Sequence, residues 1–414
     1  MNADQYKRND CRYCHASLDK PFLELGNQPL ANSFLKLDEA KLPEFDCPLS
    51  LTQCKTCNLI QLSHVVPADM MFSNYLYVTS TTATFRKHFA EYASSLKQIS
   101  IKKDNLLAVD IGSNDGLLLS CYRNEGMRIV GVEPATNLSK DANARGIPTL
   151  NKYFGEEAVD EIIKNHGKAD IISGNNVFAH IDGSDSVCKN AYNLLSDNGI
   201  FVIEFPYLVT MVEELLFDMI YHEHLSYVAL NPLKHLLNIH HMEMFFVDKV
   251  ASHGGSLRVF IQKKGGENKI NPIVNQLLKE EVDKGYTSTE IYSDFAKKVY
   301  KVQEDLIAFV NDAKANGKSI SGYGAPAKGN TLINFCNFDT SSINYIVDDN
   351  PLKQNMLAPG SKIPVVPSSQ LTSNPTDYVI IFAWNFAKEI ISNMGHLKEK
   401  GVKFIIPLPS PVVV

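Results

Sequence analysis

No uninterrupted apolar run in the chain approaches the ~20 residues that cross a bilayer as a helix. The opening decapeptide, MNADQYKRND, lacks the apolar core of a secretory signal. A basic surplus is lacking too: 40 Lys and Arg stand against 46 Asp and Glu, for a formal net charge of -6 and a pI near 6.1. Proteins that grip a phosphate backbone usually carry such a surplus, so neither nucleic acid nor a membrane is expected as a partner. Short-period repeats and low-complexity tracts are absent. What is present is the balance of a globular protein, 44% apolar and 21% charged, in 414 residues. At roughly 100–200 residues per domain that length suggests two to four domains. A cytoplasmic location follows, and there the eight cysteines stay reduced.

Four of those cysteines form two pairs, Cys11-x-x-Cys14 and Cys54-x-x-Cys57. Two thiolates from each tight turn complete a tetrahedral sulfur shell, which suits a structural Zn²⁺. The alternative is four unrelated thiols. His15 reads as a surface residue, and Cys47, Cys121, Cys188 and Cys336 as buried small hydrophobes. Residues 1 to about 70 are otherwise loop-rich, broken by Gly26, Pro29, Pro43 and Pro48.

Phe85, Phe89 and Tyr92 predict a helix. Between 105 and 205 the runs LLAVDIG, RIVGVEP, ADIISGN and GIFVIEFP alternate with helix-length segments, the pattern of a parallel sheet covered by helices. Residues 275–315 predict a long helix with Phe295, Val299, Val302, Leu306 and Phe309 on one face. SISGYG, NYIVDD, KIPVVP, YVIIFAW and VKFIIPL then predict a second, smaller α/β unit. The expected class is α/β in three parts: a zinc-binding domain over 1–75, a methyltransferase-type Rossmann-like domain over 76–265, and a long helix with a C-terminal Rossmann-like domain over 266–414.

A ligand turn follows the first of the central strands. The run Val109-Asp110-Ile111-Gly112-Ser113-Asn114-Asp115-Gly116 lets a ligand approach the backbone at its glycines. About 20 positions on, Glu133 ends the next strand, where a carboxylate accepts hydrogen bonds from ribose hydroxyls. These features suit NAD or S-adenosylmethionine. Asp115 inside the turn would repel a pyrophosphate but tolerates a sulfonium and an ammonium, so Asp110, Gly112, Asn114, Asp115, Gly116 and Glu133 read as an S-adenosylmethionine site. A structural glycine turn is the plainer alternative. Asn175, Asn176 and His180, in the loop after the fourth strand, lie where ligands sit in such sheets.

The segment Phe217-Asp218-Met219-Ile220-Tyr221-His222-Glu223-His224 concentrates titratable groups. A histidine near neutral pH is the commonest general base. A polar structural network, or a metal held through His222 and His224, are the other readings.

Six ordered motifs then carry a resemblance over essentially the whole chain: the paired CxxC motifs, DIGSNDG with GVEP, NNVFAHI, FDMIYHEH, His253-Gly-Gly-Ser-Leu-Arg258, and Gly322-Tyr-Gly-Ala-Pro-Ala-Lys-Gly-Asn330. Together they resemble the sugar C-methyltransferase family of branched deoxysugars, including the enzymes for tetronitrose and mycarose. The resemblance implies methylation, dependent on S-adenosylmethionine, at C3 of a nucleotide-diphosphate 4-keto-6-deoxysugar lying between domains. It implies catalytic roles for Tyr221, Glu223, His224 and His180, and for an N-terminal tyrosine, Tyr75 or Tyr77. It also implies proton removal and methyl attack on opposite ring faces. We assign His222, His253, Arg258, Tyr323 and Lys328 to the sugar nucleotide, with Lys328 at a phosphate, and expect a monomer. NAD in the C-terminal unit is disfavoured, because GYGAPAKGN lacks the G-x-G-x-x-G register. Competing readings are a zinc-ribbon RNA methyltransferase, a small-molecule O-methyltransferase and a silent sugar-nucleotide-binding protein.

Overall fold

The computed structural model describes residues 3–72, 83–250 and 255–414. Tyr75, Tyr77 and His253 lie outside them. Among the described residues no helix is long and apolar enough to cross a membrane.

The N-terminal segment is less loop-like than its prolines suggest. Strands β1 (Leu23–Pro29), β3 (Asp46–Gln53) and β4 (Ile60–Leu62) pair antiparallel, while β2 (Leu35–Lys36) leaves this sheet. Pro48 sits within β3 opposite Asn27, and β1 shifts register between Glu24 and Asn27, where Gly26 has φ 78°. A proline cannot donate to a ladder, and an irregular partner strand accommodates it.

The central sheet contains β5 (Leu107–Ile111), β6 (Arg128–Val132), β7 (Thr149–Leu150), β8 (Ala169–Asn175) and β9 (Leu195–Pro206), all parallel. Strand β10 (Ser226–Tyr227) leaves the sheet to pair with β4. Strands β11 (Met242–Val250) and β12 (Ser256–Lys263) complete the order β7-β6-β5-β8-β9-β12-β11, with β12 antiparallel to both neighbours. The four predicted apolar runs are β5, β6, β8 and β9. Strand β5 is buried along its length because helices cover both faces. Order reverses between β5 and β8, so the loops after Ile111 and Asn175 open into one crevice.

The long helix is two helices, Pro272–Asp283 and Glu290–Ala315, separated where Gly285 takes φ 84°. Phe295, Val299, Val302 and Leu306 are buried as one face, and Phe309 is half-buried. Beyond them, β13 (Ile320–Tyr323), β14 (Ile346–Val347), β16 (Pro364–Val366), β17 (Tyr378–Ile381) and β18 (Lys403–Ile406) form a parallel sheet ordered β16-β14-β13-β17-β18. Strand β15 (Met356–Leu357) borders β16 and pairs with β2, and β19 (Val412–Val413) closes the other edge. Thus β2 of the N-terminal segment completes the C-terminal sheet, and β10 of the central segment completes the N-terminal sheet. One apolar core contains Leu51, Ile203 and Ile320, one from each sheet.

Candidate active site

The zinc site is built from two like turns. Asn58 N–H donates to the Cys54 carbonyl and His15 N–H to the Cys11 carbonyl, with both donors at positive φ. The Sγ atoms of Cys11, Cys14, Cys54 and Cys57 lie within 4.8 Å of one another, and Cys11–Cys57 and Cys14–Cys54 are each 3.5 Å apart. Four sulfurs about 2.3 Å from a zinc ion are about 3.8 Å apart, so the cluster fits that ion. His15 is exposed and faces Asp10 at 3.1 Å, outside the thiol cluster. Cys47, Cys188 and Cys336 are buried, and Cys121 half-buried.

In the crevice at β5, Gly112 has φ 63°, and a Cβ there would lie 2.5 Å from Val177 Cγ1. Glu133 accepts the Asn114 N–H at 2.8 Å on one oxygen and the Ala135 N–H at 2.8 Å on the other. Two backbone donors therefore fix the carboxylate that was expected at the ribose, and each oxygen keeps a lone pair. Burial raises the Glu133 pKa against those two bonds. Asp110 is buried below the turn, accepts from Ser173 Oγ at 2.6 Å, and is pushed up to about 7 by burial. Asp115 is buried, with Arg145 3.9 Å from its Oδ2. Asp115 Oδ1, both side-chain polar atoms of Asn175, and Asn176 Oδ1 are buried without a hydrogen-bond partner among the described residues. Buried polar atoms are rarely left unpaired. This set, around a turn that excludes side chains, fits a polar ligand such as S-adenosylmethionine.

The segment 217–224 meets the loop after β8, which borders that crevice, through His180. His224 Nδ1 lies 2.7 Å from the Met219 carbonyl oxygen, an acceptor only, so Nδ1 carries the proton. Nε2 is then the acceptor, and Tyr221 Oη donates to it at 2.8 Å. The His180 ring lies 4.9 Å from that of His224, with Phe72 5.9 Å beyond it. Asn32 Nδ2 donates to Glu223 Oε1 at 2.6 Å. His224 lines a cavity with Ala179, Pro206, Met219 and Tyr227. The structure thus brings His180, about 40 residues away in sequence, against the Tyr221–His224 pair, while the neighbouring Glu223 carboxylate meets Asn32.

Other expected substrate residues have partners inside the protein. His222 is buried and Nε2 donates to the Cys47 carbonyl at 3.1 Å, while burial pulls its pKa down to about 4. That bond ties the segment to the N-terminal sheet, and among the described residues the cluster that could hold a metal is the four cysteines, not His222 with His224. Arg258 is buried against Glu204 at 2.7 Å, stacks 3.9 Å from the Tyr92 ring, and meets His88 at 3.2 Å. Despite the cost of burial, His88 and Arg258 hold the Glu204 carboxyl down at about 2. Arg258 is therefore a core ion-pair residue. Tyr323 donates to Asp349 Oδ2 at 2.9 Å within the C-terminal core. Lys328 donates to Asn385 Oδ1 at 2.6 Å and stacks 3.9 Å above Trp384. Asp348 accepts N–H groups of Ala325 at 2.7 Å and Asn350 at 2.8 Å, so the acidic pair braces the loop instead of addressing a ribose.

Sequence reasoning missed Asn32, which orients Glu223, and Trp384, whose Nε1 donates to the buried Asp218 at 2.5 Å. Each lies more than 150 residues from its partner, and no local pattern marks it.

Residues 11–72 match the family described as a zinc binding domain, residues 85–240 a methyltransferase domain, and residues 251–409 the C-methyltransferase C-terminal domain. The C-methyltransferase NovU of Streptomyces niveus is 34% identical over 406 residues, covering 98% of this chain and 97% of that protein. The chain belongs to the C-methyltransferase family. Among solved structures, an S-adenosylmethionine-dependent methyltransferase of Clostridium acetobutylicum is 11% identical, covering 44% of this chain and 92% of that one, at a TM-score of 0.36. Magnesium protoporphyrin IX methyltransferase of Synechocystis, with S-adenosylmethionine bound, is 10% identical over 44% of this chain and 79% of its own, at 0.33. Those scores carry no weight beside the strand order and the family matches. The protein is an S-adenosylmethionine-dependent C-methyltransferase with a zinc-binding N-terminal part. Its methyl acceptor is carbon, which removes the O-methyltransferase and silent-binder readings.

Proposed function

We propose that this C-methyltransferase methylates C3 of a nucleotide-diphosphate 4-keto-6-deoxysugar, dTDP- or GDP-linked, through an enolate, as a monomer in the cytoplasm. The observation that carries this reading is the His224 ring, held with Nδ1 on the Met219 carbonyl and Nε2 facing Tyr221.

A hydrogen on carbon beside a ketone is acidic because the anion left behind is an enolate. Nε2, the nitrogen without a proton in the neutral ring because the bond at Nδ1 fixes the tautomer, takes that hydrogen from C3 as a proton. The C–H electron pair becomes the enolate, and negative charge gathers on the C4 oxygen. Tyr221 Oη, released from Nε2, donates to that oxygen, and the neighbouring His180 is a second donor. Such a preorganised donor lowers a barrier by about 2.7–4 kcal/mol. Glu223, oriented by Asn32, accepts from a sugar hydroxyl and fixes the ring. When bound, S-adenosylmethionine would supply an electrophilic methyl group to C3 on the ring face opposite His224, its S–CH3 bond breaking as the C–C bond forms so that S-adenosylhomocysteine leaves as a neutral thioether. Gly112, Glu133, Asn175 and Asn176 hold the donor in line, which removes much of the entropic barrier. The crevice after β13, at the switch in strand order, takes the nucleotide.

Incubation with S-adenosylmethionine and a panel of dTDP- and GDP-linked 4-keto-6-deoxysugars tests the reading. One panel member gains a single methyl by mass, and its C3 hydrogen exchanges with deuterated solvent when the methyl donor is left out. Methylation of an RNA or of a ketone without a nucleotide, with the panel untouched, refutes it.

A further inference from the structure

Lys353 lies in the turn between β14 and β15, and no motif marks it. Its Nζ donates to the Ala325 carbonyl at 2.8 Å. Ala325 belongs to the loop after β13, at the switch in strand order. The same Nζ is 5.2 Å from the ring centre of Phe34 in the N-terminal segment, and the carboxylates of Glu223 and Asp348 both act on it. Burial lowers its pKa, and those two carboxylates favour its charged form. An ammonium has three donors. Lys353 makes one hydrogen bond among the described residues, so it has donors to offer a ligand.

We propose that Lys353 binds the diphosphate of the sugar nucleotide, a contact that rests on the substrate class proposed above. The sugar must present C3 to His224, whose neighbour is Glu223. The nucleoside occupies the crevice after β13, where Ala325 lies. The group that joins sugar to nucleoside therefore crosses between Glu223 and Ala325, where Lys353 Nζ is bonded to the Ala325 carbonyl and lies within the field of the Glu223 carboxylate. Lys328 is the other lysine at this crevice, but its Nζ is bonded to Asn385 and stacked on Trp384. A compact ammonium with rotatable donors suits a charge distributed over two phosphates.

The test uses the full-length, zinc-loaded protein and two probes: dTDP or GDP alone by calorimetry, and the turned-over keto sugar nucleotide by steady-state kinetics. In Lys353→Met, the KM for the sugar nucleotide and the Kd for the nucleoside diphosphate both rise about tenfold or more. The kcat stays within about threefold, since the contact is the same in ground and transition state, and the Kd for S-adenosylmethionine is unchanged. Lys353→Arg recovers most of the diphosphate affinity. Lys301→Met, on an exposed helix face, controls for loss of charge. If Lys353→Met folds poorly, Lys353→Gln is measured in its place. Wild-type KM and Kd in these variants overturn the contact, as does an equal loss of S-adenosylmethionine affinity, which marks a packing role. If the wild type turns over a keto sugar nucleotide while the Lys353 variants are normal, only this contact falls. If the wild type binds neither nucleoside diphosphate and methylates no keto sugar nucleotide, the substrate class falls with it.

Discussion

Arg12, the residue after the zinc-ligand candidate Cys11, donates from its guanidinium to the backbone carbonyl of Leu225, the residue after His224. The same guanidinium meets Asp182 at 3.3 Å, and β4, which follows Cys57, pairs with β10 just beyond His224. The two zinc-binding turns therefore both hold the chain just after His224. Chelation of the zinc, or Arg12→Met, removes this support. The expected outcome is a fall in kcat of about tenfold or more, from the loss of a charged hydrogen bond. Calorimetry would show the affinity for S-adenosylmethionine unchanged, because the β5 crevice is formed by other elements. An equal loss of methyl-donor binding would count against this coupling.

His224→Ala removes the group proposed as the base. General-base groups typically contribute 10²–10⁴-fold, so kcat is expected to fall by about that range. S-adenosylmethionine binding should be intact. Near-normal turnover in this variant would refute the base assignment. Tyr221→Phe should lower kcat by about 10²-fold while leaving KM nearly unchanged, since its bond to the ketone oxygen strengthens as charge develops.

Glu133→Ala should weaken S-adenosylmethionine binding by about tenfold or more. It removes a ribose acceptor and frees the N–H groups of Asn114 and Ala135 at once. Glu133→Gln keeps an acceptor and should lose less. Equal affinities for the wild type and both variants, by calorimetry, would exclude the ribose role.

Asp218 is fully buried beside Trp384, and burial pushes its pKa up to about 6, against the pull of Lys328 and of the Trp384 N–H. The folded protein then holds a proton that the unfolded chain gives up near its ordinary value of 3.8. Stability should therefore fall as pH rises from about 4 to about 6, and level off above. The ~2-unit shift corresponds to roughly 3 kcal/mol. Asp218→Asn keeps an acceptor for Trp384 and has no charge to bury. Its stability relative to the wild type, from denaturant melts, should rise across that pH window. A flat difference would show that Asp218 is ionised in the fold at no such cost.

The central strands were readable as strands because each is an apolar run of five or more residues between breakers, the pattern of a sheet covered on both faces. The N-terminal strands were not. Strand β3 carries Pro48, and β1 carries Gly26 and ends at Pro29, so the usual breaker signals lie inside the elements. The long helix was misjudged because Gly285 falls in a charged stretch where the apolar rhythm barely lapses. At the site, the glycine turn and the cluster Tyr221–Glu223–His224 were legible, since their chemistry lies within a few positions. His222 and Arg258 belong to the same conspicuous motifs, yet the Cys47 carbonyl and the Glu204 carboxylate engage them. Residue type alone does not distinguish a catalytic imidazole from a buried brace.

By itself the sequence marked the four cysteines, the methyl-donor turn and a segment rich in titratable groups, because each depends on residue types at short spacing. The tertiary structure decided which nitrogen of His224 is basic, through the Met219 carbonyl, and which residues surround it. Asn32, Lys353 and Trp384 come from distant segments, and their contacts with Glu223, Ala325 and Asp218 arise from proximity in space. Hydrogen bonds and charges act over a few ångströms, so a group's protonation and partners are set by what the fold brings within that reach.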